Sequence, residues 1–279
     1  MDPKITVDKK KFEEEGYLVI KNVFTPEEIE AFRADCYKQY EIDTAKNLNY
    51  DVKKTNARSL RGDLMSKKLI RKMILDDRII YIVKELLGPD IVYFGDSAFQ
   101  FGVGFRGFHR DNVDREFNEG PDWEGDYPIV RFGLYLQDHS TFSGGLKVKR
   151  GSHRNKSGKS VILDIKPGDF AIWNLRTLHS GNAVRLKLFP KLPVDYFERF
   201  VPAFLKIDES KERILAACSF ARKSKALDRY ISEYMNKAEP VKLNMRNSPL
   251  DDEALNDLSG KGITLVRPSA DYGKQNHNS

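Results

Sequence analysis

Apolar positions along the chain change their period about a third of the way in. In the first third the spacing is helical. Ile29, Phe32, Cys36 and Tyr40 recur at three- and four-residue intervals with Glu and Lys between them, so one face packs and the other is solvated. Thr25-Pro26-Glu27-Glu28 opens this segment: Thr25 can cap, Pro26 suits the first turn and Glu28 completes a capping box. Upstream, residues 11–16 predict a short helix stopped by Gly16, followed by the apolar strand Tyr17–Ile20. Residues 68–87 predict further helix, capped by Asp76 or Asp77 and ended by Gly88-Pro89.

From about residue 91 the pattern shifts to short β-prone runs: Ile91–Phe94, Val130–Leu136, Val161–Ile165, Phe170–Trp173 and Ile214–Phe220. Val130, Phe132, Leu134 and Leu136 alternate with Arg131, Gly133 and Tyr135, as in a strand with one buried face. Gly144-Gly145 and Pro167-Gly168-Asp169 mark turns. The expected architecture is mainly β, a sandwich or barrel with helices on one face. One domain is expected: a largely helical scaffold over 1–90, a β core over 91–222 and a C-terminal helix and tail over 223–279, with the residues after Pro249 loosely packed.

Residues 186–210 break the strand rhythm with Pro190, Pro193 and Pro202. The segment is too short to bury a core of its own. Its apolar residues Leu188, Phe189, Leu192, Tyr196, Phe197, Phe200, Val201 and Phe204 are therefore expected to pack on the rest of the chain, as a lid or wall over the substrate opening or as a cover on the outer helices.

Charge and cysteine usage narrow the class. The 279 residues hold 47 Lys and Arg against 41 Asp and Glu, a net charge of +6, with the basic residues scattered. That is a solvated basic surface; a nucleic-acid footprint would be a clustered stripe. Two cysteines, Cys36 and Cys218, lie in a predicted helix and strand, which fits a reducing compartment and a cytoplasmic location. The N-terminal residues contain no apolar core of a signal peptide, and no apolar run is long enough to span a bilayer. The expected partner is a small-molecule substrate, with neither nucleic acid nor membrane.

Candidate chemistry centres on Phe108-His109-Arg110-Asp111. An imidazole and a carboxylate at i and i+2 point to the same side of an extended chain, so both can grip one ion. His179, in Thr177-Leu178-His179-Ser180-Gly181-Asn182, supplies a third ligand just beyond the predicted strand Phe170–Trp173. Two His and one carboxylate on one face of an octahedral ion leave positions open for a bidentate co-substrate and O2, the arrangement of a non-haem Fe(II) site. Of the other histidines, His139 is expected to face solvent, His153, in the turn Gly151-Ser152-His153-Arg154, to hydrogen-bond and not to bind metal, and His277 lies in the tail.

These residues resemble the phytanoyl-CoA dioxygenase family of Fe(II)/2-oxoglutarate oxygenases, and the resemblance spans most of the chain. It is carried by Phe12 to Phe24 with Thr25-Pro26-Glu27-Glu28-Ile29, by Leu86-Leu87-Gly88-Pro89-Asp90, by Ser143 to His153, and by Pro167-Gly168-Asp169-Phe170 through Asn182. The resemblance implies a double-stranded β-helix, or jelly roll, of cupin type with helices outside. It also implies Fe(II) on His109, Asp111 and His179, O2 and 2-oxoglutarate as co-substrates, release of succinate, and hydrogen abstraction from a substrate C–H bond. The family's cation for the distal carboxylate of 2-oxoglutarate matches Arg213 by strand context and Arg185 by distance from the histidine; the strand argument favours Arg213. Arg110 departs from the family, which more often has Gln between the two ligands. Phe105, Arg106, Arg110, Trp123, Tyr127 and Arg131 are candidates for the cleft lining.

The expected activity is oxidation of a C–H bond in a small metabolite, with a fatty acyl-type substrate and a non-catalytic jelly-roll binding module as alternatives. Asp111 argues against a halogenase, in which a small residue replaces the carboxylate.

Overall fold

The computed structural model describes residues 5–46, 49–51, 58–60, 62–102, 107–237 and 248–267. Helix α1 (Lys9–Glu15) ends at Gly16, whose φ of 82° is left-handed; a side chain there would also strike the His153 ring at 2.4 Å. Strand β1 (Tyr17–Ile20) follows, and then α2 (Pro26–Ala45), closed at its start by the expected capping box between Thr25 and Glu28. The predicted helix over 68–87 is two helices, α3 (Lys68–Ile74) and α4 (Asp77–Leu87), divided at Asp76, whose carboxylate caps α4.

The β region forms two sheets. The larger runs β1-β8-β5-β10-β4-β3-β2, where β2 is Asn49–Asp51, β3 Arg58–Leu60, β4 Ile91–Phe101, β5 Ile129–Tyr135, β8 Phe170–Asn174 and β10 Ile214–Arg222. The smaller runs β7-β6-β9, with β6 Gly145–Lys149, β7 Ser160–Ile162 and β9 His179–Ala183. Every pairing in this core is antiparallel. Together they make the expected jelly roll.

Period-two alternation gives the larger sheet two buried faces. Phe132, Leu134, Phe170, Ile172, Ala216, Cys218 and Phe220 pack outward against Ile29, Cys36, Ile70, Ile74, Ile79, Ile82 and Val83 of the helices. Tyr17, Tyr135, Ala171 and Trp173 face inward, onto Leu146 and Val148 of the smaller sheet. Burial of each such side chain contributes about 1.5–3 kcal/mol, so the helical scaffold is the cover that the sheet's outer face requires. Both cysteines are free and buried, and none of the described helices is long and apolar enough to cross a membrane.

Two expectations are corrected. The stretch after Pro249 is packed as far as residue 267: α5 (Asp252–Gly260) buries Ala254 and Leu258 and pairs Asp257 with Arg71, and β11 (Ile263–Leu265) adds a parallel strand to β4. The segment 186–210 does not bury its apolar side chains: Leu188, Phe189, Leu192, Tyr196, Phe197, Phe200 and Phe204 stand 54–77% exposed. Its polar residues anchor it instead. Glu198 is ion-paired with Lys147 at 2.6 Å with both groups buried, and Asp195 lies 3.3 Å from Lys149. Val148 faces the interior, so Lys147 and Lys149 face outward, and the segment sits on the outer side of the smaller sheet.

Candidate active site

His109 and His179 are brought together by backbone pairing. His109 N donates to His179 O and His179 N to His109 O, both at 3.0 Å, while Asp111 N donates to Leu175 O at 3.1 Å. The His-x-Asp segment is thereby stitched to β9 and to the loop before it. Extended geometry turns His109 and Asp111 to one side and Arg110 to the other.

The hydrogen-bond pattern fixes the imidazole tautomers. Nδ1 of His109 lies 2.9 Å from Gly107 O, and Nδ1 of His179 lies 2.9 Å from Thr177 O. A carbonyl only accepts, so each Nδ1 carries a hydrogen and each neutral ring turns an Nε2 lone pair to the centre. There Nε2 of His109 is 3.6 Å from Asp111 Oδ1, and Nε2 of His179 is 3.3 Å from Asp111 Oδ2. One atom from each of the three residues lies within 4.8 Å of the other two. Lone pairs converging on one point need a cation between them, and two imidazoles with one carboxylate suit iron.

Arg131 is the cation paired with this carboxylate. Its Nη1 donates to Asp111 Oδ2 at 2.6 Å, its Nε to Ser219 Oγ at 3.0 Å and its Nη2 to Asp96. Ser219 and Tyr230 also donate to Asp96, at 2.7 and 3.2 Å. Burial alone would raise the Asp111 pKa, yet the Arg131 guanidinium holds its carboxyl well below the usual range. The ligating form, the carboxylate, is thus preset. Arg131 was legible as a cleft candidate, but Asp96, Ser219 and Tyr230 were not: Ser219 sits opposite Arg131 only through the β5–β10 register.

The two candidate co-substrate arginines occupy different settings. Arg213 enters the barrel just before β10; its Nη2 donates to Gly181 O at 3.1 Å, its Nη1 to Gln100 Oε1 at 3.0 Å and its Nε to Gly144 O at 2.9 Å. A side chain at Gly181 would meet Arg213 Nη2 at 3.5 Å, which puts the guanidinium on the face of β9 that carries His179, one pleat repeat along. Among the described residues no carboxylate lies within ion-pair distance of it. Arg185 is already paired with Asp164 at 2.5 Å and donates to His139 O and Pro190 O.

Other expectations change. Arg110 points away from the centre and donates to the carbonyls of Arg176, Arg115, Ser152, Asn155 and Lys156, a structural clamp. Trp123 and Tyr127 support that region: Trp123 Nε1 donates to Asp114 O, and Tyr127 lies in a buried cluster. Phe105, Arg106 and His277 fall outside the described residues. His139 is buried and not solvent-facing: Nδ1 donates to Ser143 O at 3.0 Å and Gln137 Nε2 donates to its Nε2. His153 hydrogen-bonds as expected, to Glu13 O at 3.0 Å.

Burial, and then Arg213, pushes the His139 imidazole down to about 3, while burial pushes His153 down to about 4. Both lie below the ordinary 6.5, so below that pH the unfolded chain binds more protons. The stability they contribute is full above about pH 6.5 and is lost as pH falls toward these values. For His139→Gln with His153→Asn, unfolding free energy should vary less with pH by on the order of 5 kcal/mol between neutrality and about pH 3. Equal pH slopes for parent and variant would contradict this.

Residues 12–185 match the phytanoyl-CoA dioxygenase (PhyH) family, and the chain belongs to it. It is 26% identical over 155 residues to an ectoine dioxygenase of Stutzerimonas stutzeri (strain A1501), a match covering 52% of this chain and 49% of that protein. An ectoine dioxygenase of Nocardia farcinica (strain IFM 10152) is likewise 26% identical over 153 residues, covering 51% and 49%. The matches thus span about half the length of these relatives. Among solved structures, the nickel complex of the non-heme monooxygenase ThoJ has a TM-score of 0.54 at 16% identity, covering 91% of this chain and 95% of that one. HygX from Streptomyces hygroscopicus, with nickel and 2-oxoglutarate bound, has a TM-score of 0.53 at 16% identity, covering 78% and 88%. At these identities the structures share a fold.

Proposed function

We propose that the described residues form a single Fe(II)- and 2-oxoglutarate-dependent oxygenase domain that oxidises a C–H bond of a small molecule. The observation that carries this reading is the convergence of His109, Asp111 and His179 within 4.8 Å, with both imidazoles oriented by backbone carbonyls. Bound there, Fe(II) would supply the O2 chemistry by which R–H, O2 and 2-oxoglutarate give R–OH, succinate and CO2.

The chain's own residues set the stage for that chemistry. Gly107 O and Thr177 O hold the ring tautomers, and Arg131 keeps Asp111 ionised and aimed. Arg213, deep in the barrel beside Gln100 and Gly181, is the cation for the distal carboxylate of 2-oxoglutarate. Trp173, 5.2 Å from the His179 ring, gives the centre an apolar wall that limits water.

Arg131 acts through Asp111, so its loss should show in metal affinity. Arg131→Met should weaken Fe(II) binding about 10- to 100-fold. It should also destabilise the fold by about 3–5 kcal/mol, because Asp96 and Asp111 stay buried without their guanidinium. Arg131→Lys should recover part of both. Unchanged Fe(II) affinity in a folded Arg131→Met protein would remove the positioning role. The overall reading is tested by incubating the chain with Fe(II), O2, 2-oxoglutarate and a panel of small metabolites, fatty acyl thioesters included. Substrate-stimulated succinate release is expected, and its absence in the presence of bound iron and 2-oxoglutarate across a broad panel would favour the binding-module reading.

A further inference from the structure

The segment 186–210 keeps a large apolar surface in water, and its charges are sorted by side. In the 3-10 helix Asp195–Phe200, residues three apart eclipse one another. Asp195 and Glu198 therefore share one face and turn to Lys149 and Lys147, while Phe197 and Phe200 share another and stand 69% and 65% exposed. Phe189 and Leu188 before this helix and Phe204 after it are 62%, 77% and 71% exposed. The exposed charged side chains between residues 187 and 205 are Lys187, Lys191 and Arg199, all cationic.

The ends of the segment are tied, so this surface is presented as a projection. Lys187 N donates to Leu205 O at 3.0 Å and Ile207 N to Arg185 O at 2.8 Å, closing an antiparallel neck. Of the segment's four acids, Asp195 and Glu198 are spent on the inner face, and Asp208 and Glu209 lie past the neck, outside the tip. What remains is an aromatic and aliphatic tip whose exposed charges are cationic, with the Arg199 guanidinium stacked on the Phe200 ring at 4.6 Å.

We propose that this tip docks the protein on an anionic lipid surface, with the Phe and Leu side chains entering the headgroup boundary and Lys187, Lys191 and Arg199 facing lipid phosphates and carboxylates. Contiguous apolar surface rimmed by cations is what such a surface binds, and no spanning helix is needed. A second copy of this chain is the poorer occupant, because a two-fold contact would bring two sets of three cations into one interface with no exposed acid of the tip between them. Nucleic acid is poorer too: three cations make only a short phosphate track, and phosphate contacts supply most of such binding. Tyr196 on this segment meets Phe108, the residue before His109, at a ring distance of 6.3 Å, so docking would place the metal-binding strand close to the lipid.

Flotation of the intact chain with vesicles of phosphatidylcholine, with and without phosphatidylserine, tests this. Binding is expected only to the anionic vesicles and should weaken as salt rises. Phe197→Ser/Phe200→Ser/Phe204→Ser should abolish it, and Lys187→Glu/Lys191→Glu/Arg199→Glu should lower partitioning at least about tenfold. Both variants change exposed side chains, so their thermal midpoints should match the parent's. Three results would overturn the proposal: no flotation with anionic vesicles; equal flotation of the triple-serine variant; or phenylalanine-dependent self-association or RNA binding in place of lipid binding.

Discussion

Asp111→Ala should lose Fe(II) binding more severely than any other single substitution in the chain. Asp111 brings the only negative charge of the three converging residues, and both imidazole Nε2 atoms face its oxygens, at 3.6 and 3.3 Å. Removing it leaves two neutral rings and the Arg131 guanidinium facing the same point, and a cation there repels iron. Losing a supporting partner of a metal ligand costs about 10- to 100-fold in affinity, so losing the carboxylate itself should cost more than about a hundredfold. The fold should survive, because Arg131 keeps Asp96 and Ser219. Asp111→Asn keeps the shape and drops the charge, and should fall between. Metal analysis after dialysis with Fe(II) under nitrogen measures this; parent-like occupancy in Asp111→Ala would place the metal elsewhere.

Arg213→Ala should weaken 2-oxoglutarate binding by about 2–5 kcal/mol, since a carboxylate taken into the barrel would lose its guanidinium partner. Fe(II) affinity should hold, because Arg213 touches none of the three metal candidates. Arg185→Ala is the control that separates the two arginines. Its guanidinium is committed to Asp164 and to the carbonyls of His139 and Pro190, so its loss should lower the thermal midpoint and leave 2-oxoglutarate affinity within a few-fold. The reverse pattern would move the co-substrate anchor to Arg185.

Much of this was written in local sequence. Thr25-Pro26-Glu27-Glu28 specifies its own capping box, and the strands β1, β5, β8 and β10 follow from runs whose period or apolarity is visible residue by residue. The convergence of His109, Asp111 and His179 was legible because an i, i+2 pair on an extended chain and a later histidine beyond a strand can meet on one side of a barrel. The same period-two rule places Arg110 opposite its neighbours, and it proves to be a clamp on five carbonyls.

What was not legible depended on partners distant in sequence. His139 follows a strand among polar residues, and only Arg213, Gln137 and Ser143 closing over it make it buried. Strand β11 is three residues in a stretch rich in Asn, Asp and Ser, and it forms because β4 offers it an edge. The tip at 186–210 misled for the opposite reason. Apolar side chains were read as a demand for burial within the chain, whereas Asp195 and Glu198 had the better partners in Lys149 and Lys147 and turned the aromatics outward.

If the proposed centre holds both ligands, 2-oxoglutarate binding depends on Fe(II), on Asp111 and on Arg213. Anaerobic calorimetric titration of 2-oxoglutarate, with and without Fe(II), tests it most directly. One-to-one binding that requires Fe(II), and that disappears in both Asp111→Ala and Arg213→Ala, is the predicted result. Binding of equal strength without Fe(II), or undiminished in Asp111→Ala, would contradict it.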